Sequence, residues 1–174
     1  LASLNTSGET TITENKTTRD HTEIMLKSFG SNIKIKKIDN KKIIKIIGKK
    51  ELISKNIDVP NDLSSSAFFI VCALINNNSH IMLRNINNNP TRNGLILALL
   101  KMGANIQILN KRLNNNEQIC DIAVQSSDLN GCDLGPEFAD LMIDEYPILA
   151  IAASFANTPS VFRGLNELRV KESD

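Results

Sequence analysis

The chain has 174 residues, of which 41% are hydrophobic and 22% charged, with a formal net charge of +1. That length buries a substantial core and the composition is that of an ordinary soluble domain. The near-neutral balance argues against a general nucleic-acid or membrane-surface role, and no apolar run approaches the roughly 20 residues that a membrane span needs.

The opening, Leu1-Ala2-Ser3-Leu4-Asn5, has neither an initiator Met nor the charge pattern of a signal peptide, so it is read as a cut inside a longer protein. The first strong element covers residues 18–35: a Thr18-Arg19 start, an apolar helix, Gly30 at its end, then Ile33 and Ile35 alternating as in a half-buried strand. Residues 34–50 carry eight lysines interleaved with isoleucines. This could be a polyanion-binding ribbon or a hairpin with its isoleucines on the core and its lysines in water. Without aromatic residues for base stacking, the hairpin is preferred. Pro60 favours an extended neighbour and marks a joint near residues 57–62.

Residues 62–75 predict a helix and residues 80–83 a strand. Thr91-Arg92 then opens a second copy of the first element: residues 91–108 align on 18–35 without a gap, with Gly103 in the place of Gly30. Both glycines suit the left-handed position past a helix end. Residues 144–156 predict a further helix, followed by a strand near Val161 and Phe162. The helices over 62–75 and 144–156 are apolar almost all round and are expected to be buried on most sides. Asn runs at 76–78, 87–89 and 114–116 fall where turns are expected. Cys72 reads as a small core hydrophobe, and Cys120 and Cys132 lack metal-ligand spacing, so a reduced, cytoplasmic setting is the simpler reading. The order of strands and helices gives an α/β chain built on a repeated unit, with a third, partial copy at the C-terminal end.

Three groups of residues could carry chemistry. Arg19 stands at a helix start, where unpaired N–H groups and the helix dipole favour a phosphate, but a surface arginine beside a capped helix explains it as well. His21 and Glu23 are two residues apart and share no helical face, which argues against a zinc pair. Arg92 occupies the repeat position of Arg19, which weakens any unique role for the latter. Asp144 precedes Pro147 and falls near an N-cap, where it could cap the helix or accept a proton from a substrate hydroxyl. Lys171 and Glu172, at an expected strand end, are either a solvated charge run or a pair that binds an anion and moves a proton.

Five segments, taken in order, resemble the 5-enolpyruvylshikimate-3-phosphate (EPSP) synthase family. They are Thr18-Arg19-Asp20-His21-Thr22-Glu23-Ile24-Met25-Leu26, Asp58-Val59-Pro60-Asn61-Asp62-Leu63-Ser64-Ser65-Ser66-Ala67-Phe68, Asn89-Pro90-Thr91-Arg92-Asn93-Gly94, Met142-Ile143-Asp144-Glu145-Tyr146-Pro147-Ile148-Leu149-Ala150 and Glu167-Leu168-Arg169-Val170-Lys171-Glu172-Ser173-Asp174. Arg19-x-His21-x-Glu23 and Asn89-x-Thr91-Arg92 also resemble two signatures of the glyphosate-tolerant class. The family usually has Gly at the position of Asn61; because Asn tolerates the same left-handed conformation, little effect is expected.

The resemblance implies the inside-out α/β barrel of the enolpyruvyl transferases. Residues 1–58 would be the C-terminal part of the upper domain and 59–174 a truncated part of the second. It implies transfer of the enolpyruvyl group of phosphoenolpyruvate to the 5-hydroxyl of shikimate 3-phosphate, with no cofactor or metal. A protein that is a monomer at full length is implied, without nucleic-acid or membrane partners. Arg19 would bind the phosphate of shikimate 3-phosphate, and Asp144 and Lys171 its ring hydroxyls, with Asp144 as candidate base. Glu172 would exchange a proton at the phosphoenolpyruvate methylene. The isolated chain would be inactive. Two rival readings are a UDP-N-acetylglucosamine enolpyruvyl transferase, whose mobile-loop Cys has no matching context here, and an α/β binding module of the same fold without chemistry.

Overall fold

The computed structural model describes residues 1–16, 18–39 and 41–171. The chain divides into two compact units, one of residues 1–59 with 113–117, the other of residues 60–112 with 118–174.

In the first unit, a 3-10 turn at Ala2–Asn5 precedes strand β1 (Glu9–Glu14), helix α1 (His21–Ser28), β2 (Asn32–Ile38) and β3 (Lys41–Ile47). The strands form an antiparallel sheet in the order β1-β3-β2. The 113–117 hairpin tip is grouped here, and its Asn114 donates its side-chain amide to the Asp58 carbonyl. Leu26, Ile33, Ile44 and Ile46 form a small core beneath α1. Alternation along β3 turns residues 42, 44 and 46 inward, so Lys42 is carried into the interior with the two isoleucines. Its ammonium is hydrogen-bonded to Glu23 of α1 and lies 3.2 Å from Glu14, its cross-strand partner on β1. Lys42 is 3% exposed, so the expectation that the ribbon's lysines stand in water fails for this one residue.

The second unit contains α2 (Leu63–Ile75), β4 (His80–Asn87), α3 (Gly94–Lys101), β5 (Asn105–Asn114) and β6 (Glu117–Gln125). It continues through β7 (Asp133–Leu134), α4 (Ala139–Met142), α5 (Tyr146–Ser154), β8 (Val161–Phe162) and α6 (Leu168–Lys171). Its main sheet runs β4-β6-β5, and β7 pairs with β8 in parallel. The two repeat copies therefore fold alike: helix, left-handed glycine (φ 76° at Gly30, 87° at Gly103), then strand. Ala67, Ile70, Leu74, Leu95, Leu99, Met102, Ile122 and Leu149 are sealed between the helices and the sheet.

The structure corrects three expectations here. Helices α2 and α5 are not enclosed: Phe68 and Phe69 are 62% and 64% exposed, and Ile151 and Phe155 also face outward, because only one side of each helix meets the core. Cys72 lies on that outer side and is exposed. Asn61 is not left-handed; it instead forms a bridge to β4. Its N–H donates to the Asn85 carbonyl at 2.8 Å, its carbonyl accepts from Asn87 N–H at 2.9 Å, and its side-chain amide donates to the Arg84 carbonyl at 2.8 Å. This docking is possible because β4 bulges between Leu83 and Ile86, with Asn85 at φ 56°. Asp121 of the central strand holds the bulge, accepting from Asn85 N–H and from the Asn110 amide, each at 2.9 Å. Those two bonds hold its carboxyl below the usual range, assisted by Arg112 and opposed by burial.

Burial alone would lower the pKa of Lys42, but the hydrogen bonds and charges of Glu23 and Glu14 outweigh it and raise it above 10.5. A raised folded value means that this contribution to stability is complete below pH 10.5 and is lost as the pH climbs through the folded value. Lys42→Ala, which leaves two acids facing an apolar core, is expected to cost about 3–5 kcal/mol in urea unfolding of the whole chain and to remove that alkaline dependence. A loss within the error of the measurement would show that the triad does not hold the unit.

Candidate functional site

The chemistry-bearing side chains of the second unit gather where α2 and α5 begin and where the chain approaches α3. Asp62 is the N-cap of α2. Its carboxylate accepts from the Ser65 N–H at 2.8 Å and from the Ser65 hydroxyl at 2.9 Å. Ahead of α3, Asn89 is 2% exposed, and its Oδ1 accepts from Thr91 N–H (2.8 Å) and Thr91 Oγ1 (2.7 Å). Its carbonyl accepts from Arg92 N–H at 2.9 Å. This Asx turn replaces backbone hydrogen bonds with side-chain ones and fixes the direction in which Arg92 leaves the chain.

The Arg92 guanidinium donates to Ser64 Oγ at 2.5 Å and lies 3.5 Å from Asp62 and 3.9 Å from Glu145. Ser64 in turn donates to the carboxylate of Glu145, which is 4% exposed. Glu145 ends a 3-10 turn, Ile143–Glu145, and becomes the N-cap residue of α5 without a side-chain cap bond; Pro147 occupies the first turn. Tyr146 packs edge-on against Phe162 of β8, with ring centroids 5.8 Å apart. Burial pushes its phenol up to about 12, with the negative neighbours Glu137 and Cys132 adding to the shift.

Asp144 is the exposed middle of that turn, and the ammonium of Lys171 is hydrogen-bonded to its Oδ1. Of the four sequence-identified site residues, these two are brought together. Asp144 lies near the N-cap, as expected: it is one residue before that position, inside the 3-10 turn of residues 143–145 that makes the bend into α5. The local expectation for Lys171 needs correction. Lys171 closes the helix α6, not a strand: a turn ahead of the helix, closed by the Leu168 N–H donating to the Leu165 carbonyl at 3.0 Å, brings both Leu165 and Leu168 against the core, which an extended chain at that spacing would not. Arg19 belongs to the first unit, exposed in the segment leading into α1. Glu172 lies outside the described residues.

Within the first unit, His21 and Glu23 diverge as their spacing requires. His21 Nδ1 is 3.0 Å from Glu117 of the hairpin tip, while Glu23 turns to Lys42. Among the described residues, no group of three or more His, Cys, Asp or Glu is placed to hold a metal, and no helix is long and apolar enough to cross a membrane. Sequence reasoning passed over Ser64 and Glu145. The usable signals were a serine run directly behind the capping Asp62 and a second acid beside Asp144.

The family model for EPSP synthase (3-phosphoshikimate 1-carboxyvinyltransferase) matches residues 1–174. The chain belongs to the EPSP synthase family. It is 51% identical over 175 aligned positions to the 3-phosphoshikimate 1-carboxyvinyltransferases of Pseudomonas sp. (strain PG2982) and Brucella abortus (strain S19). All of the chain is covered in both cases, but only 39% of either relative. A solved EPSP synthase from Acinetobacter baumannii superposes with a TM-score of 0.90 at 44% identity, covering 99% of this chain and 38% of that one. The enolpyruvyl transferase NikO from Streptomyces tendae shares the fold, with a TM-score of 0.56 at 15% identity over 91% of this chain and 37% of its own. The α/β fold is thus that of the EPSP synthases, and NikO shares it.

The bonds that Ser65 makes to Asp62 and the charge of Arg92 hold its carboxyl low against the opposing effect of burial. The stability this gives is present above the ordinary value of 3.8 and fades as the pH falls through the folded value. Asp62→Ala is expected to cost about 1 kcal/mol in thermal unfolding at pH 7 and less at pH 2. An equal cost at both pH values would show that the cap's charge is not involved.

Proposed function

We propose that this chain supplies part of the active site of a 3-phosphoshikimate 1-carboxyvinyltransferase. That enzyme moves the enolpyruvyl group of phosphoenolpyruvate onto the 5-hydroxyl of shikimate 3-phosphate and releases phosphate, a step of the shikimate pathway to aromatic amino acids. The observation that carries this reading is the exposed Asp144–Lys171 pair, held on a turn anchored in the core and set in a chain whose whole length matches the family.

The reaction adds the hydroxyl oxygen to the enol carbon while the methylene carbon takes a proton, then reverses the proton transfer as phosphate leaves. A base at the hydroxyl and an acid at the methylene must serve in both steps. In this reading Asp144 accepts the 5-hydroxyl proton and Lys171 holds a neighbouring ring oxygen. Arg19 grips the phosphate of shikimate 3-phosphate, and Glu172 exchanges the methylene proton. Residues 1–58 and 59–174 are read as parts of two domains of one monomeric cytoplasmic enzyme that needs neither cofactor nor metal.

Because the chain spans 39% of its curated relatives, the test uses a full-length synthase carrying this segment, given both substrates and followed by phosphate release. Asp144→Ala and Glu172→Ala are each expected to lower kcat by about 10²–10⁴-fold, and the isolated 174-residue chain is expected to release none. Near-normal turnover in both variants would favour a binding module of the same fold.

A further inference from the structure

We propose that Arg92, acting through Ser64 and Glu145, is a positioning residue for Asp144; the proposal rests on the reading of Asp144 given above and deepens it. A three-residue turn has little stiffness of its own, so the direction of its middle side chain depends on how its flanks are held. Ile143, 7% exposed, is held by apolar packing, which is not directional. Glu145 is held by hydrogen bonding, which is.

The Glu145 carboxylate is buried, and its partners among the described residues are the Ser64 hydroxyl and the more distant Arg92. Ser64 accepts from Arg92 and donates to Glu145, so the guanidinium polarises the one hydroxyl that binds the carboxylate. Arg92 is itself fixed from two sides: its backbone by the turn on Asn89, its guanidinium by Asp62 at the start of α2. The Asn89-x-Thr91-Arg92 motif is thereby accounted for residue by residue. It ties the approach to α3, the start of α2 and the turn carrying Asp144 into one rigid corner.

Removing Arg92 leaves a buried carboxylate bound to a neutral hydroxyl alone. Such a group gains by turning toward water, and Asp144 is its covalent neighbour. If the effect passes through the charge of Glu145, neutralising that charge should largely cancel the loss of Arg92. If Arg92 touches substrate or merely supports the fold, it should not.

The test uses the full-length synthase carrying this chain. Arg92→Gln is expected to lower kcat by about 10²-fold with little change in KM for phosphoenolpyruvate, and the double variant Arg92→Gln with Glu145→Gln to regain most of that loss, a coupling read by the double-mutant cycle. Normal turnover in Arg92→Gln, or a loss that the double variant does not recover, overturns the proposal. A parent protein without turnover would instead overturn the functional reading. The network is then judged by amide NMR: the Asp144 and Lys171 signals should move in Arg92→Gln and return in the double variant, and signals that stay in place refute it.

Discussion

The second unit is organised around a buried acid. Glu145 carries a carboxylate where the core of the α2–α5 contact begins, and a carboxylate there persists only if donors are aimed at it. Ser64 and Arg92 meet that demand, and each is placed by a separate local device: Ser64 by the first turn of α2 behind its Asp62 cap, Arg92 by the side-chain turn on Asn89. Three segments far apart in sequence are thus brought to one point by hydrogen bonds that specify angle as well as distance. Apolar packing of Ala67, Leu99 and Leu149 brings the same helices together, but on its own it would leave their ends free to slide.

The first unit solves a related problem with less material. Among the described residues its core is small, Leu26, Ile33, Ile44 and Ile46 with Leu4 packed against them, and a lysine shares their layer. Glu23 from α1 and Glu14 from β1 reach Lys42 from different elements, so the ion triad fastens helix to sheet across a core too small to do so alone. The signature Arg19-x-His21-x-Glu23 accordingly contributes two residues to architecture, His21 to the hairpin tip and Glu23 to the sheet.

Much of this was legible in the sequence, because periodicity and punctuation report directly on backbone geometry. The gapless repeat of 18–35 on 91–108 located α1, α3, their glycine caps and the following strands. Pro147 located the start of α5. What could not be read were matters decided by partners distant in the chain. Lys42 looked like any other lysine of its ribbon until β3 was paired in register with β1. Cys72 and Phe69 looked like core because α2 is apolar throughout, whereas burial depends on which side meets α5 and β4. Asp144 and Lys171 were legible as candidates from a helix start before Pro147 and from a charge run, but only the family motifs gave a reason to prefer chemistry over a cap and a solvated run, since neither pattern has a physical mark of function. The identical Thr-Arg starts gave no hint that Arg92 is drawn into a network with Ser64, Asp62 and Glu145.

The inward lysine also bears on how the sheet avoids folding wrongly. Strand β3, Lys-Lys-Ile-Ile-Lys-Ile-Ile, has isoleucines on both of its faces, so apolar content alone distinguishes poorly between its two possible registers. In the observed pairing, residues 42, 44 and 46 face inward and the lone ammonium among them finds two carboxylates. A slip of one residue would turn Lys41, Ile43, Lys45 and Ile47 inward instead, placing two cations in the interior, one at the strand's centre away from Glu14 and Glu23. Lys42 therefore acts as a key cut for one lock: it favours the native register through the triad it completes there, while Lys41 and Lys45 set the penalty on the nearest misfolded alternative.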